Sequence, residues 1–216
     1  MRIAIIGING KMGREVAKVL KENNYNFFGI SKEDDFMIYK NADILIEFTN
    51  SQANFEHINI VMNDPRKYII GTTGFNQEQL ETILELSRKT AVFLSYNFSY
   101  GLNSLLRFIP ELYKKLLDYD VALYEIHHKF KKDKPSGTAK MILDSLKQVN
   151  NNLNLEISSF RIGGIFGEHV LMFSNEGEVI EIKHKALSRR VFALGVLKAI
   201  NFIKDRDKGF FTMKDL

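Results

Sequence analysis

The chain has 216 residues, of which 45% are hydrophobic and 26% are charged, and it contains no cysteine. This composition is typical of a globular protein and excludes a fibrous or disordered chain. The absence of cysteine excludes disulfide frameworks and thiolate metal sites, so redox chemistry would need a bound cofactor. The net charge of +4 at pH 7 is too small to indicate nucleic acid, and we predict no nucleic-acid partner.

The first ten residues, MRIAIIGING, contain a short apolar run. Glycine, asparagine and lysine interrupt the run before a signal peptide or a membrane span is complete. We therefore predict a cytoplasmic protein without a membrane partner.

The first predicted elements are a strand, a glycine turn and a helix. Apolar residues at Arg2–Ile6 predict the strand, and KMGREVAKVLKEN predicts the helix. Such a turn lets helix amides approach a pyrophosphate. The spacing is G-x-x-G-x-x-G rather than G-x-G-x-x-G, so a turn that only permits close packing remains an alternative. The predicted cofactor contacts in this turn are Gly7, Asn9, Gly10, Lys11, Met12 and Gly13.

A second strand is predicted at Tyr25–Ile30. This strand ends roughly 20 residues beyond the turn, at the position where such folds bind the adenosine ribose. Ser31 and Lys32, both predicted cofactor contacts, could donate hydrogen bonds to a 2′-phosphate, which favours NADPH. Glu33 and Asp34 could instead turn inward and accept hydrogen bonds from the ribose, which favours NADH. We predict NADPH and/or NADH as the cofactor, and a solvated turn is the alternative reading of these residues.

The next elements alternate between strands and helices. The predicted strands are Ile44–Phe48, Tyr68–Ile70 and Ala91–Leu94. The predicted helices are Gln52–Asn63 behind a Ser51 cap and Gln77–Lys89 behind an Asn76 cap. This alternation indicates a parallel sheet, in which ligands bind at the carboxyl ends of the strands. The cofactor contacts predicted at those ends are Phe48, Thr49, Gly71, Thr72, Thr73, Asn97 and Phe98.

The second half of the chain favours strands. A helix is predicted from Leu102 to about Leu117, with a kink or break at Pro110. The strands that follow are DVALYEIHH, ISSFRIGG, EHVLMFS and EVIEIKHKAL, with a hairpin turn at 175–177. Because few helices separate them, they predict a mixed or antiparallel sheet. A last helix, Ser188–Lys204, is expected to return to the first domain.

The predicted fold class is therefore α/β with two domains. Residues 1–101 and 189–216 are predicted to form a Rossmann-type dinucleotide-binding domain with a parallel sheet. Residues 102–188 are predicted to form an α+β domain with a mixed or antiparallel sheet, which binds substrate and carries the oligomer contacts.

The stretch HHKFKKDKPSGTA at 127–139 gathers positive charge ahead of a helix. Ser136, or Asp133 before it, can cap the helix TAKMILDSLKQV, whose free amides offer an anion site at Gly137 and Thr138. Lys131 adds a formal charge, and a histidine could deliver a proton near neutral pH. The stretch suits a small substrate with more than one carboxylate, and an exposed basic loop is the alternative.

The longer stretch EIHHKFKKDKPSGTA resembles the signature of the dihydrodipicolinate reductase (4-hydroxy-tetrahydrodipicolinate reductase) family. Further segments are similar to the family's, in the same order: GINGKMGREV, EFT, GTTGF, NFSYGLN, RIGGIFGEHVLMF and IKHKALSR. The resemblance covers nearly the full length, and the first stretch is the most specific part of it.

The resemblance implies reduction of 4-hydroxy-tetrahydrodipicolinate to tetrahydrodipicolinate with NAD(P)H, in diaminopimelate and lysine biosynthesis. It implies that His127 is a general acid and that Lys131 is a proton donor and substrate ligand. It further implies a tetramer. We predict no metal site. The implied substrate contacts are His128, Lys131, Ser136, Gly137 and Thr138.

Two other functions remain open from the sequence. One is another NAD(P)-dependent dehydrogenase of a small dicarboxylate or amino acid, and the other is a nucleotide-sensing or nucleic-acid-binding module. The segment between Ser31 and Ile44 is shorter than the family usually carries, which leaves the choice between NADH and NADPH open. We place His57, His169 and His184 outside the catalytic set.

Overall fold

The structure is a computed structural model that describes all 216 residues. The chain forms two compact units. One comprises Met1–Tyr100 and Arg190–Leu216, and the other comprises Gly101–Arg189. None of the helices combines the length and the apolar character that crossing a bilayer requires.

The helices and strands follow one another in this order: β1 (Arg2–Ile6), α1 (Lys11–Glu22), β2 (Asn26–Ile30), β3 (Ile44–Glu47), α2 (Ser51–Val61), β4 (Lys67–Ile70), α3 (Gln77–Ser87), β5 (Ala91–Leu94), α4 (Tyr100–Tyr113), β6 (Asp120–His127), α5 (Gly137–Lys147), β7 (Ile157–Arg161), β8 (Glu168–Ser174), β9 (Val179–Lys185), α6 (Arg190–Ile203) and β10 (Gly209–Phe211). Two short 3-10 helices lie at Phe36–Asn41 and Met213–Asp215.

The first unit contains a six-stranded sheet in the order β10-β5-β4-β3-β1-β2. All neighbouring strands are parallel, as predicted for a Rossmann-type domain. The central strands are near-continuous apolar runs because both faces of the sheet are covered. Ile3 and Ile5 pack on the face covered by α1 and α6, whereas Ala4 and Ile6 pack on the opposite face with α2 and α3.

Helix α6 belongs to the core of this unit. Val196, Ala199 and Ile200 are completely or almost completely buried against residues of β1 and α1. A Cβ atom at Gly195 would lie 1.7 Å from the carbonyl oxygen of Phe98, so only glycine permits this close approach of helix and backbone.

The second unit contains a four-stranded sheet in the order β7-β6-β8-β9. Strands β6 and β7 are parallel and α5 joins them, whereas the β6–β8 and β8–β9 pairs are antiparallel. The predicted mixed sheet is therefore confirmed. Leu123, Leu171 and Phe173 of this sheet pack against α4 and α5. Asn175 forms the predicted hairpin turn, because its side chain accepts hydrogen bonds from the amides of Gly177 and Glu178.

Several local expectations are wrong. Asn50, rather than Ser51, caps α2 by accepting a hydrogen bond from Ala53 N. A break at Pro110 is absent, because α4 continues through it, and the helix ends at Tyr113 rather than at about Leu117. A kink at Pro110 stays a prediction. Strand β10 and the 3-10 helix at Phe36–Asn41 were not predicted. That 3-10 helix lies in the second half of the short segment between β2 and β3.

Candidate active site

The turn between β1 and α1 has the geometry that a dinucleotide requires. Gly7 has φ +79°, and a Cβ at Gly13 would lie 2.2 Å from Gly7 O, so the helix starts against the turn with no room for side chains. Gly10 caps α1 without any side-chain hydrogen bond, which leaves the first amides available to a pyrophosphate. The predicted contacts Gly7 to Gly13 therefore fit a nicotinamide dinucleotide.

The turns after β1, β3 and β4 lie against one another at the carboxyl edge of the sheet. The ring of Phe48 lies where a Cβ on Gly71 would be, only 2.0 Å from the nearest ring carbon. Thr49 N donates a hydrogen bond to Thr72 Oγ1 at 3.3 Å. A Cβ on Gly7 would approach Phe48 O to 3.0 Å. The structure therefore brings these predicted cofactor residues together.

The remaining predicted cofactor residues lie at the same edge. Asn9, Lys11, Lys32 and Thr73 are exposed, whereas Ser31, Met12 and Asn97 are half-buried. Phe98 is 2% exposed and packs between the rings of Phe48 and Phe93. Its side chain therefore belongs to the core beneath this edge of the sheet and is not exposed to a ligand.

Sequence reasoning missed a buried carboxylate under this edge. Glu47 is fully buried, and it accepts hydrogen bonds from Tyr68 OH, from Thr49 Oγ1 and from His57 Nδ1, the last at 2.9 Å. Burial, and next the charge of Glu47, raise the pKa of Tyr68 well above its ordinary value, so the phenol remains a donor. The network fixes the hydroxyl of Thr49, a predicted cofactor contact.

In the second unit, Glu125 is the centre of the candidate site. It is fully buried, and its Oε2 accepts a hydrogen bond from His127 Nδ1. Its Oε1 accepts hydrogen bonds from Arg161 Nη2 at 2.8 Å and from Ser136 N at 3.3 Å. Burial works to raise the pKa of Glu125, but side-chain hydrogen bonds, led by that of Arg161, outweigh it and lower the pKa. The carboxylate is therefore ionised.

His127 lies at the end of β6 with only 7% of its surface exposed. Burial lowers its pKa, and the hydrogen bond to Glu125 opposes this only in part, so the imidazole is neutral at neutral pH. Because Nδ1–H is donated to the ionised carboxylate, Nε2 is the acceptor. A Cβ on Gly167 would lie 2.9 Å from Nε2 of His127, so the lack of a side chain at Gly167 keeps the space beside this nitrogen open.

The predicted substrate residues lie at the start of α5 and in the loop that precedes it. Ser136 caps the helix by accepting a hydrogen bond from Ala139 N at 3.2 Å, so of the two predicted caps Ser136 is the one used. Gly137 is the exposed first residue of the helix, and Thr138 follows it with 9% exposure. Lys131 Nζ pairs with Asp133 Oδ1 at 2.8 Å. His128 is half-buried.

His169, which we placed outside the catalytic set, lies within this cluster. Its Nε2 is 3.1 Å from Ser136 Oγ, and its ring centre is 5.1 Å from that of His127. Burial, then the proximity of His127 and His184, lowers the pKa of His169 to about 3. Alternation along β6 places Glu125 and His127 on one face, and His169 is opposite Glu125 in the register of β8. The sequence shows that Glu125 and His127 share a face of β6, but it does not show that His169 pairs with Glu125.

Glu125, His127 and His169 also offer three possible metal-ligand atoms within 4.8 Å of one another. The guanidinium of Arg161 is 2.8 Å from the same carboxylate, and Nδ1 of His127 already bonds to it. A cation bound to this carboxylate would compete with the hydrogen bond from His127 and lie beside the fixed positive charge of Arg161. The cluster is therefore a hydrogen-bonded network, and the absence of a metal stays a prediction.

The parallel sheet with its glycine turn, together with a second unit that presents cationic groups, defines a nicotinamide-dependent oxidoreductase acting on a small anionic substrate. Residues 101–216 match the family model described as dihydrodipicolinate reductase, C-terminus, and residues 28–98 match that of the N-terminus. The chain belongs to the dihydrodipicolinate reductase family.

Relatives of similar length support the assignment. The 4-hydroxy-tetrahydrodipicolinate reductase of Thermosipho africanus is 40% identical over the whole chain and 97% of the relative. That of Caldanaerobacter subterraneus is 36% identical over the whole chain and 98% of the relative. Among solved structures, a dipicolinate-bound dihydrodipicolinate reductase from Paenisporosarcina sp. TG-14 has the same fold. It aligns with a TM-score of 0.81 and 23% identity over all of this chain and 99% of that one.

Proposed function

We propose that the chain reduces 4-hydroxy-tetrahydrodipicolinate to tetrahydrodipicolinate with NAD(P)H, a step of diaminopimelate and lysine biosynthesis. The observation that carries the proposal is the cluster at the start of α5 in a chain of this family. Arg161, Ser136 and His127 converge there on the buried carboxylate of Glu125, and Arg161 also binds the backbone carbonyl of Lys131. The unit Met1–Tyr100 with Arg190–Leu216 would bind the cofactor, and the unit Gly101–Arg189 would bind the substrate.

The substrate's carboxylates match the groups around α5. The backbone amides at Gly137 and Thr138, aligned with the helix dipole, would hold one carboxylate. Lys131 and His128 would hold the other. The Lys131 ammonium pairs with the half-exposed Asp133, an interaction weak enough for a substrate carboxylate to replace.

The nicotinamide cofactor, when bound, supplies the hydride. The protein then has to deliver a proton and stabilise the charge on the acceptor. The ammonium of Lys131 carries its proton at Nζ on a side chain that is 23% exposed, whereas the neutral His127 offers only an acceptor at Nε2. Lys131 therefore delivers the proton, and His127 acts as an acid only after it has gained one.

The test is turnover of 4-hydroxy-tetrahydrodipicolinate, formed in situ from pyruvate and aspartate semialdehyde by its synthase, followed by the loss of dihydronicotinamide absorbance. Lys131→Ala should lower kcat about 100-fold or more because it removes the proton donor. NADH affinity, measured by fluorescence, should not change. Lys132→Ala is the matched control, since this neighbouring exposed lysine has no assigned role. Wild-type turnover that Lys131→Ala leaves intact would contradict the assignment of the donor.

By analogy with the family we also propose a cytoplasmic homotetramer that assembles through the mixed sheet. Exposed apolar side chains on and beside β7 and β9 support this proposal: Phe160, Ile162 and Val179 are 53%, 61% and 56% exposed. Light scattering coupled to size exclusion should give four times the mass of the chain, and a monomer would refute the tetramer.

A further inference from the structure

Residues His128–Pro135 form a loop that we call the basic loop. It lies between the end of β6 and the cap of α5, and it carries Lys131. Its backbone makes two hydrogen bonds through its own amides, Lys131 N to His128 O at 3.1 Å and Lys129 N to Gly163 O at 3.2 Å. Residues 132–134 are exposed to solvent. These two bonds do not hold the second half of the loop, residues 132–135.

Arg161, at the end of β7, provides that anchor. Its Nε donates a hydrogen bond to Lys131 O at 3.2 Å, and its Nη2 donates one to Asp133 O. Its Nη1 bonds Phe160 O at 2.7 Å, which holds the guanidinium on its own strand. The side chain is only 8% exposed, so water competes little for these bonds.

The same guanidinium is bound to the centre of the site. Its Nη2 lies 2.8 Å from Glu125 Oε1, and this oxygen also accepts the hydrogen bond from Ser136 N, where the helix cap begins. Arg161 therefore connects the carbonyls in the middle of the basic loop to the carboxylate that holds both His127 and the start of α5.

We propose that Arg161 is a positioning residue that fastens the basic loop to Glu125, so that the Lys131 ammonium and the anion-binding start of α5 keep one fixed relative position. The proposal rests on the proposed function, because it explains how the two ends of a dicarboxylate are held at a defined separation. Arg161 itself need not touch the substrate.

The residue type is decisive for this role. Guanidinium nitrogens lie in one plane and donate in several fixed directions, so one arginine reaches two loop carbonyls and a carboxylate at once. The single ammonium of a lysine can keep the ion pair with Glu125 but cannot span these acceptors. Arg161→Lys therefore keeps a positive charge beside Glu125 but removes the hydrogen bonds that fasten the loop.

The first test needs no enzyme activity. Trypsin can cleave the basic loop after Lys129, Lys131 and Lys132 once the loop opens locally. In Arg161→Lys, cleavage at these sites, followed by mass spectrometry, should be about tenfold faster than in the wild type. Arg66→Lys is the matched control, since Arg66 also pairs with a carboxylate and with backbone carbonyls but belongs to the first unit. It should leave cleavage of the loop unchanged.

The second test measures binding. Calorimetry with pyridine-2,6-dicarboxylate should show affinity about tenfold or more weaker in Arg161→Lys, whereas NADH affinity should stay within about twofold. In turnover, KM for the substrate should rise more than kcat falls. A general loss of structure would weaken the binding of both ligands together.

A further variant guards against misfolding. Arg161→Met combined with Glu125→Gln removes both buried charges, which avoids leaving one unpaired. It should also show fast loop cleavage and weak dicarboxylate binding. Unchanged cleavage and unchanged dicarboxylate affinity in both variants would overturn the proposal. If the loop opens in the variants while the wild type shows no turnover, the fastening role holds and the proposed function fails.

Discussion

At the scale of single residues, Asp34 indicates which cofactor the chain prefers. Its Oδ2 accepts a hydrogen bond from Ser31 N at 2.7 Å, at the end of β2 where the adenosine ribose is read. Hydrogen bonds from Ser31 lower the pKa of Asp34, so a negative charge is held there at neutral pH. That charge would accept hydrogen bonds from ribose hydroxyls and repel a 2′-phosphate. We therefore propose a preference for NADH, in contrast to the preference for NADPH that Ser31 and Lys32 indicate from the sequence.

Asp34→Asn should raise the affinity for NADPH about tenfold relative to that for NADH, because it removes the negative charge that repels a 2′-phosphate. The measurement is the dissociation constant of each cofactor by fluorescence titration. Asp43→Asn is a close control, because Asp43 also accepts a backbone hydrogen bond at 2.7 Å, from Arg2 N, but at the opposite edge of the sheet. A wild type that prefers NADPH, with an unchanged ratio in Asp34→Asn, would refute this role.

At the scale of elements, the start of α1 depends on the missing side chain of Gly13. A methyl group there would lie 2.2 Å from Gly7 O and 2.8 Å from Ile8 Cα, so the helix would have to move away from the turn. Gly13→Ala should therefore weaken cofactor binding about tenfold or more and lower the melting temperature, since overpacking costs about 1–3 kcal/mol. Gly101→Ala in α4 meets no atom within 4 Å and should leave NADH binding unchanged. Equal NADH affinity in the two variants would contradict the requirement for glycine.

Local patterns predicted most of these elements, and non-local contacts account for what they missed. Apolar runs gave the strands of the parallel sheet, and cap residues gave the starts of α3 and α5. Strand β10 was missed because three residues, Gly-Phe-Phe, carry no periodicity, and it forms by pairing with β5. The role of Arg161 depends on its pairing with His127 across β6 and β7, which are far apart in sequence. No local pattern encodes that register.

At the scale of the whole molecule, the buried histidines make stability depend on pH. His169 has a pKa of about 3 in the folded protein and an ordinary value of 6.5 when unfolded. Between those values the unfolded chain binds a proton that the folded chain does not, so stability is lost as the pH falls below 6.5. The free energy of unfolding then decreases by up to about 1.4 kcal/mol per pH unit for this group. Burial lowers the pKa values of His127 and His184 too, and they act in the same direction.

His169→Gln should therefore flatten the decline of the melting temperature as the pH is lowered from 6.5, compared with the wild type. The groups that face His169, namely Glu125, His127, His184 and Lys131, remain in the variant. The measurement is thermal unfolding followed by circular dichroism at several pH values. Parallel curves for the two proteins would show that another group governs acid unfolding.

The return of the chain to its first unit through α6 sets an order of events during synthesis. The residues Met1–Tyr100 leave the ribosome first, yet one face of their sheet is covered in part by the apolar side of Arg190–Ile203, which is made near the end. The continuous segment Gly101–Arg189 has all of its own strands before α6 and β10 have been made. We therefore expect this middle segment to be able to fold first during synthesis, whereas the dinucleotide-binding unit can complete its core only after Arg190–Ile203 has emerged.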